Sequence, residues 1–486
     1  MIEGSALRRF AALAALALAG IVGCEQAPPP LVSKPEGFGI RPAPLTRVAG
    51  GFVWDGRTDQ LITPRDVILE NGHIKGVVAR GLWKTDDEIV VDATSAIVMP
   101  GLIDVHGHTG ANSAPSWSSA SRFPDPERNL QSYLYAGVTT VLDPGDLAPD
   151  VFKRRDAVAA GDLVGPQIFA AGPLFTTPGG HPVGAMNALV PWWLRWYVKS
   201  HMTREVASPA EARAAVQALL PSKPDVIKVA VDAVPIGAPE LGAEVLRAIV
   251  DEARAHGIRT VAHIGSVADA LEASEAGVAA WMHGVYKERI PDDLLGRFQT
   301  AAIPYVATTF VFDDYADIYE RKREATDLER ETVPADVLAS LNQPDGSMLT
   351  PEFTEFFKLL VATREARCDN VRRLNALGVP ILAGADAQLG VFPGPALHRE
   401  IASLKRCGLS SFQALQAATI NAARFVSGNP DPDFGTIQEG KRADLIVVNG
   451  DPLTSLEAID DIKYVIKDGW VLDRHPLGGP RPTATP

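Results

Sequence analysis

Two histidines separated by one glycine, His106 and His108 in "GLIDVHGHTG", are the first residues with an obvious chemistry. Neutral imidazole is a ligand for divalent transition metals. A strand puts residues i and i+2 on one face, so both rings would point at whatever that face encloses. Four more side chains of ligating or charged type stand at or near the ends of short apolar runs: Lys228 in "DVIKVAV", His263 in "RTVAHIG", His283 in "AAWMHG" and Asp386 in "VPILAGAD". Val226 and Lys228, Val261 and His263, and Gly384 and Asp386 each share a parity, so the polar residue continues an inward column. Taken singly, an HxH pair or one His at a strand end reads as incidental. An inward lysine does not, because an ammonium among apolar side chains is costly and neighbouring cations make it costlier. Burial favours the neutral amine, which can react with carbon dioxide to a carbamate whose two oxygens bridge two metal ions.

The elements that must position these residues alternate in type. Eight apolar runs, "LIDVHGH", "VTTVLD", "QIFAAG", "DVIKVAV", "RTVAHIG", "AAWMHG", "IPYVATT" and "VPILAGAD", are separated by helical segments such as "ELGAEVLRAIVDEARAHG", which stops at Gly257. That alternation predicts an α/β fold, a (β/α)8 TIM barrel over 99–433, with chemistry at the C-terminal strand ends. Ser410 or Ser411 is the expected N-cap of a late helix. Residues 46–98 and 434–476 are instead rich in short β runs, with Asn71-Gly72 and Asp468-Gly469 as hairpin turns. They are expected to join as one small composite β-sandwich domain. Two segments exceed ordinary connections and read as lids or binding elements, or else as solvated helical faces or a packing collar: one with Trp192, Trp193 and Trp196 (190–197), whose rings suit substrate, membrane or a partner protomer, and a charged one over 313–357.

The whole chain has 486 residues, 46% hydrophobic and 22% charged, enough for a large core, and a formal net charge of -13 that argues against nucleic acid as a partner. Arg8 and Arg9 followed by "FAALAALALAGIVG" predict a signal peptide over 1–23, and "IVGC" resembles a bacterial lipobox. The expected mature protein is exported, anchored to a membrane by lipid on Cys24 and facing the periplasm, with a proline-rich tether over 24–45 and a tail at 477–486. Cys368 and Cys407 lie on helices flanking one strand; buried free thiols are the expectation, a disulfide the alternative. His73 and His475 read as surface residues of the β regions, His201 and His256 as ordinary surface residues, and His398 as a packing or supporting residue at a helix start.

The motifs "PGLIDVHGH", "AGVTTVLD", "GPQIFAAGPLFTTPGGH", "DVIKV", "VAHIG", "MHG", "GADA" and "EGKRADLIVVNGDPL", in this order, resemble the amidohydrolase superfamily, in particular its imidazolonepropionase-like and prolidase-like branch. The resemblance implies two divalent metal ions. His106, His108 and Asp386 would hold one, His263 and His283 the other, and a carbamylated Lys228 would bridge them. Zinc suits this donor set first; manganese, iron, cobalt and nickel are compatible with it. His181, in "TPGGHP", would face the substrate carbonyl or a carboxylate, and Tyr286 would hydrogen-bond the developing oxyanion. The implied reaction is hydrolysis of an amide bond in a small molecule (a dipeptide, an N-acyl amino acid or a cyclic amide) by a metal-bridging hydroxide, with Asp386 as the proton carrier. A lactonase or phosphoesterase on the same site, and a non-catalytic surface scaffold, are the alternatives. In one respect the chain departs from prolidase-like relatives: Lys228 leads into "VAVDAVPIGAP" rather than a Thr-Gly-Gly turn. Oligomeric state stays open.

Overall fold

The computed structural model of the protein describes residues 45–84, 88–111, 114, 124–343 and 350–477. The expected signal peptide, Cys24 and nearly all of the tether lie outside these residues. Among the described residues no helix is long and apolar enough to cross a membrane.

All eight expected barrel strands are present: Leu102–Asp104, Val138–Asp143, Gln167–Ala170, Val226–Ala230, Arg259–His263, Ala280–Met282, Tyr305–Val306 and Ile381–Leu382. Neighbours pair in parallel. Two further contacts close the ring, the Asp225 amide donating to the Ala170 carbonyl at 2.9 Å and the Val105 amide to the Ala383 carbonyl at 3.2 Å. The third strand breaks and resumes as Leu174–Thr176, and Phe175 of that second half reaches the fourth strand. Val226, Val261, Ala280, Val306 and Leu382 pack together in one apolar cluster inside the ring. Polar residues above this layer are therefore held on a rigid, dry base.

The helices between the strands end where the sequence says they should. Val267–Ala276 carries a capping box between Ser266 and Asp269 and stops at Gly277 in the left-handed region. For Ser411–Ala417, Ser410 is the N-cap, accepting the Gln413 amide at 3.1 Å.

The two ends of the chain meet in one eight-stranded sheet. It divides along Leu45–Val53, whose first half pairs with Glu88–Asp92 and whose second half pairs with Ala96–Pro100, and the latter binds Leu445–Asn449 from the far end of the sequence. Val48, Val67, Val98, Leu445 and Ile466 form its separate apolar core. Both hairpin turns place their two central residues at positive φ, Asn71 and Gly72, Asp468 and Gly469.

The charged insertion is folded rather than solvated. It contributes the helices Thr309–Tyr319, Asp327–Thr332, Ala335–Ser340 and Pro351–Ala362. Its buried charges neutralise one another: Arg323 donates to Asp314 at 2.6 Å and to Glu329 at 2.5 Å, and Arg399 reaches Asp314 at 3.0 Å. Trp192, Trp193 and Trp196 are 79%, 59% and 77% exposed. His398 is buried between the Ala136 carbonyl and Asp460, which is a packing role.

The expectation for the cysteines is corrected: Cys368 and Cys407 form a disulfide, with Cα atoms 4.7 Å apart. Two cysteines cannot build a framework, but they can tie two helices that flank the same strand. Closing a loop of 39 residues removes unfolded-chain entropy worth about 4 kcal/mol in the simplest treatment. The double variant Cys368→Ser, Cys407→Ser is accordingly expected to lower unfolding free energy by about 2–4 kcal/mol in denaturant titrations, and reductant to reproduce the loss in the native chain.

Glu400, fully buried, accepts from the Phe310 amide and the Thr309 hydroxyl, and burial pushes its carboxyl up to about 7. The folded form thus holds a proton that the unfolded form releases near pH 4.5. Its stabilising contribution is complete below that value and is lost as pH rises through about 7. Chemical denaturation between pH 5 and 8 is expected to show this decline, and Glu400→Gln to lessen it, with Asp104 and Asp314, also raised by burial to about 7, retaining the rest.

Candidate active site

His106 and His108 do not lie on the strand itself. They follow its last residue, Asp104, in a bend. The glycine between them is required by space: a Cβ on Gly107 would meet the Tyr133 hydroxyl at 2.5 Å and Val141 at 2.6 Å. Asp104 stitches the bend to the eighth strand end, accepting the His106 and Ala385 amides at 3.0 Å each.

Both rings then converge on Asp386 across the barrel mouth. His108 Nε2 lies 2.9 Å and His106 Nε2 3.6 Å from Asp386 Oδ1. The Nδ1 of His108 sits 2.9 Å from the Gly145 carbonyl, which fixes that nitrogen as the donor and aims the Nε2 lone pair at a carboxylate oxygen. Such a pair needs a positive charge between its members. Without a cation a proton serves: burial pushes His108 down, but the hydrogen bond and charge of Asp386 outweigh it and hold the imidazole at about 9. One donor atom each from His106, His108 and Asp386 lie within 4.8 Å of one another, a spacing that suits a shared metal ion.

His283 and His263 complete the mouth. Ring centroids are 4.4 Å apart for His106 and His283, 4.0 Å for His263 and His283, and 4.4 Å for His181 and His263. Burial first, then neighbouring cationic groups, holds His106, His181, His263 and His283 well below the ordinary imidazole range, so all are neutral ligand-type bases. Lys228 is 1% exposed, and burial lowers its amine to about 7. Among the described residues Lys228 Nζ, His263 Nε2 and His106 Nδ1 are buried without a hydrogen-bond partner. Each orphaned group costs about 1–3 kcal/mol, more if charged, and a ligand common to Lys228 and His263 would remove that cost where it is largest.

Backbone strain marks the same place. His283, Thr308 and Asp386 have φ of 71°, 40° and 49° at the ends of the sixth, seventh and eighth strands. A β-branched threonine in that region is a marked outlier, costing on the order of 1–3 kcal/mol. What holds it is contact: Thr308 Oγ1 meets His283 Nδ1 at 3.0 Å, and that nitrogen lies 3.8 Å from Asp386 Oδ2.

The pattern of the amidohydrolase family matches residues 97–472. The chain belongs to the amidohydrolase family. It is thereby a metal-dependent hydrolase acting on carbon–nitrogen bonds. Among solved structures the amidohydrolase is similar to a Xaa-Pro dipeptidase with bound methionine in the active site, at 24% identity and TM-score 0.70, covering 88% of this chain and 99% of that one. A protein from Bifidobacterium longum named as a prolidase shares 25% identity at TM-score 0.68, over 90% and 97% of the two chains. The A. niger ochratoxinase shares 21% at TM-score 0.66, over 88% and 96%. No curated protein sequence matches significantly.

All eight candidate residues of the amidohydrolase line one cavity of about 1070 Å³, its open mouth included. Tyr286 arrives there with its proton committed, donating to Asp232 Oδ2 at 2.5 Å. Asp232 is the residue that sequence reasoning passed over. It is 1% exposed, accepts from Lys287 as well, and lies 3.3 Å from His263 Nε2. Lys228, Ala230 and Asp232 share one parity, so the alternation that selected the lysine carried this signal too. It occupies the "VAVDAV" turn where the chain departs from its prolidase-like relatives. Gln388, donating to Asp386 Oδ1 at 3.0 Å, was equally unflagged.

Proposed function

We propose that this amidohydrolase is an exported, lipid-anchored enzyme that hydrolyses an amide bond of a small molecule with two divalent ions, zinc foremost. His106, His108 and Asp386 would hold one ion, His263 and His283 the other, with a carbamylated Lys228 between them. The observation that carries this reading is the convergence of those six side chains, from five strand ends, on one apolar cavity whose lysine lacks any hydrogen-bond partner among the described residues. Relatives named as a Xaa-Pro dipeptidase and a prolidase support amide chemistry on this scaffold. Bound there, such ions polarise a carbonyl and bring the pKa of water from 15.7 towards about 7.

The chain's own residues do the rest. Asp386 accepts a proton from the attacking water on one carboxylate oxygen and passes it to the leaving nitrogen. Gln388 holds its Oδ1, and the strained backbone at 49° keeps the carboxylate turned into the mouth. His181, neutral and with Nδ1 buried without a partner among the described residues, orients the carbonyl. Tyr286 is anchored on Asp232 and serves as a fixed wall near it. The apolar surround excludes bulk water and strengthens each of these contacts.

Support for export comes from the "IVGC" motif and from the disulfide, which persists in oxidising compartments. Full-length protein purified in detergent is expected to carry about two tightly held metal ions per chain and to turn over at least one member of a panel of dipeptides, N-acyl amino acids and cyclic amides. Its mass should show acylation at Cys24. Metal without amide turnover, with lactones or phosphoesters cleaved instead, would reject the amide reading.

A further inference from the structure

We infer that the group entering this cavity is neutral and bulky, aryl or branched apolar, and that Phe312, Tyr315, Phe353, Phe356 and Phe357 are its specificity wall; this rests on the amide-hydrolase reading above. The wall comes from two helices of the charged insertion, Thr309–Tyr319 and Pro351–Ala362. Its rings run outward from the candidate metal ligands as a chain. Phe312 lies 5.7 Å from His283 and stacks on Tyr286 at 4.0 Å; Tyr286 meets Phe356 edge-on at 6.3 Å; Phe356 meets Phe357 at 5.9 Å, and Phe357 meets Phe353 at 6.3 Å. Leu174, Pro182, Ala185, Met202, Val234 and Leu389 line the same cavity.

A free carboxylate on the substrate would need a cation here. Among the described lining residues the only ammonium or guanidinium belongs to Lys228, at the floor. Two cations on neighbouring elements already hold carboxylates. Arg367, whose guanidinium lies 5.8 Å from the Phe312 ring centroid, donates to Asp313 at 2.6 Å, the Leu360 carbonyl at 2.8 Å and Thr363 at 2.9 Å. Lys287 is bound by Asp232 and, at 2.9 Å, by the Ala233 carbonyl. Away from the candidate metal ligands and His181, a charged substituent would shed its hydration against phenyl rings with no cationic partner among the described residues, whereas an aryl group buries its faces on them.

The test uses zinc-loaded full-length protein and matched substrates: phenylacetanilide, the same amide with a para-carboxylate on either ring, and unprotected dipeptides. The neutral amide is expected to exceed the carboxylated pair in kcat/KM by about 100-fold, within the range that differential contacts at one pocket supply. Phe353→Arg, at the most exposed phenylalanine of the wall, is expected to narrow that ratio by raising turnover of the carboxylated amides, and Phe356→Leu to raise KM for the neutral amide more than it changes kcat. Calorimetric binding of the same compounds reads the pocket independently of turnover. Equal or reversed preference in binding and turnover overturns the specificity wall. Preferential binding of the neutral amide without cleavage of any amide sustains the wall and overturns the amide-hydrolase reading.

Discussion

Asp386→Asn is expected to leave the fold intact and to lower kcat by about 10²- to 10⁴-fold, the range supplied by a positioned proton carrier. The backbone there sits at a φ of 49°, where asparagine is among the few residues that fit with little strain, so the substitution tests chemistry rather than folding. The amide keeps the shape of the carboxylate and can still accept from Gln388, but it cannot take a proton from water and hand it on. It also removes the negative charge that the His108 Nε2 lone pair faces at 2.9 Å. In chelator-treated protein His108 should then titrate below about 9, since the interaction that raises it is gone. Steady-state kinetics with unchanged circular dichroism and unfolding midpoint check the claim. A variant keeping most of its turnover would remove Asp386 from the mechanism.

Replacement of Lys228 is expected to move activity and stability in opposite directions. Residues standing behind metal ligands are already worth about 10- to 100-fold in affinity or rate, so loss of a direct bridge should exceed that. Metal content of Lys228→Ala is expected to fall towards about one ion per chain, with partial rescue of turnover by short carboxylates such as formate or acetate. Lys228→Met should give the same loss of activity yet raise the unfolding midpoint of chelator-treated protein. The reason is the buried amine, which has no hydrogen-bond partner among the described residues and is forced by burial to about 7. A thioether of similar length fills that space without the penalty. A metal count unchanged by both substitutions would favour a single-ion centre.

The barrel was legible because each inward-facing polar residue continues an apolar column of period two: Val226 to Lys228 and Val261 to His263 need no more than alternation. His106 and His283 were found for a weaker reason, since both lie past the last residue of their strands and owe their aim to a bend and to a positive φ that no periodicity announces. Asp232 carries the right parity but lies two residues past the strand end at Ala230, in a turn where alternation no longer dictates direction. The aromatic wall was hidden by its own pattern. Phe353, Phe356 and Phe357 recur at helical spacing, which reads as an ordinary core face, and the surrounding charges suggested solvent. Only the tertiary pairing of Arg323 with Asp314 and Glu329 turns that segment into a roof. The disulfide was undecided because a sequence separation says nothing about Cα distance.

The sheet shared by both chain ends imposes an order on biosynthesis. Ala96–Pro100 waits for Leu445–Asn449, so until translation is almost complete the N-terminal strands present an unsatisfied apolar edge. A ribosome-bound or truncated product should therefore aggregate through its first hundred residues even when the barrel has every strand it needs. Stop codons placed just after Ser427, the end of the last barrel helix, are expected to yield insoluble protein, with the C-terminal hairpin acting as the latch that closes the molecule.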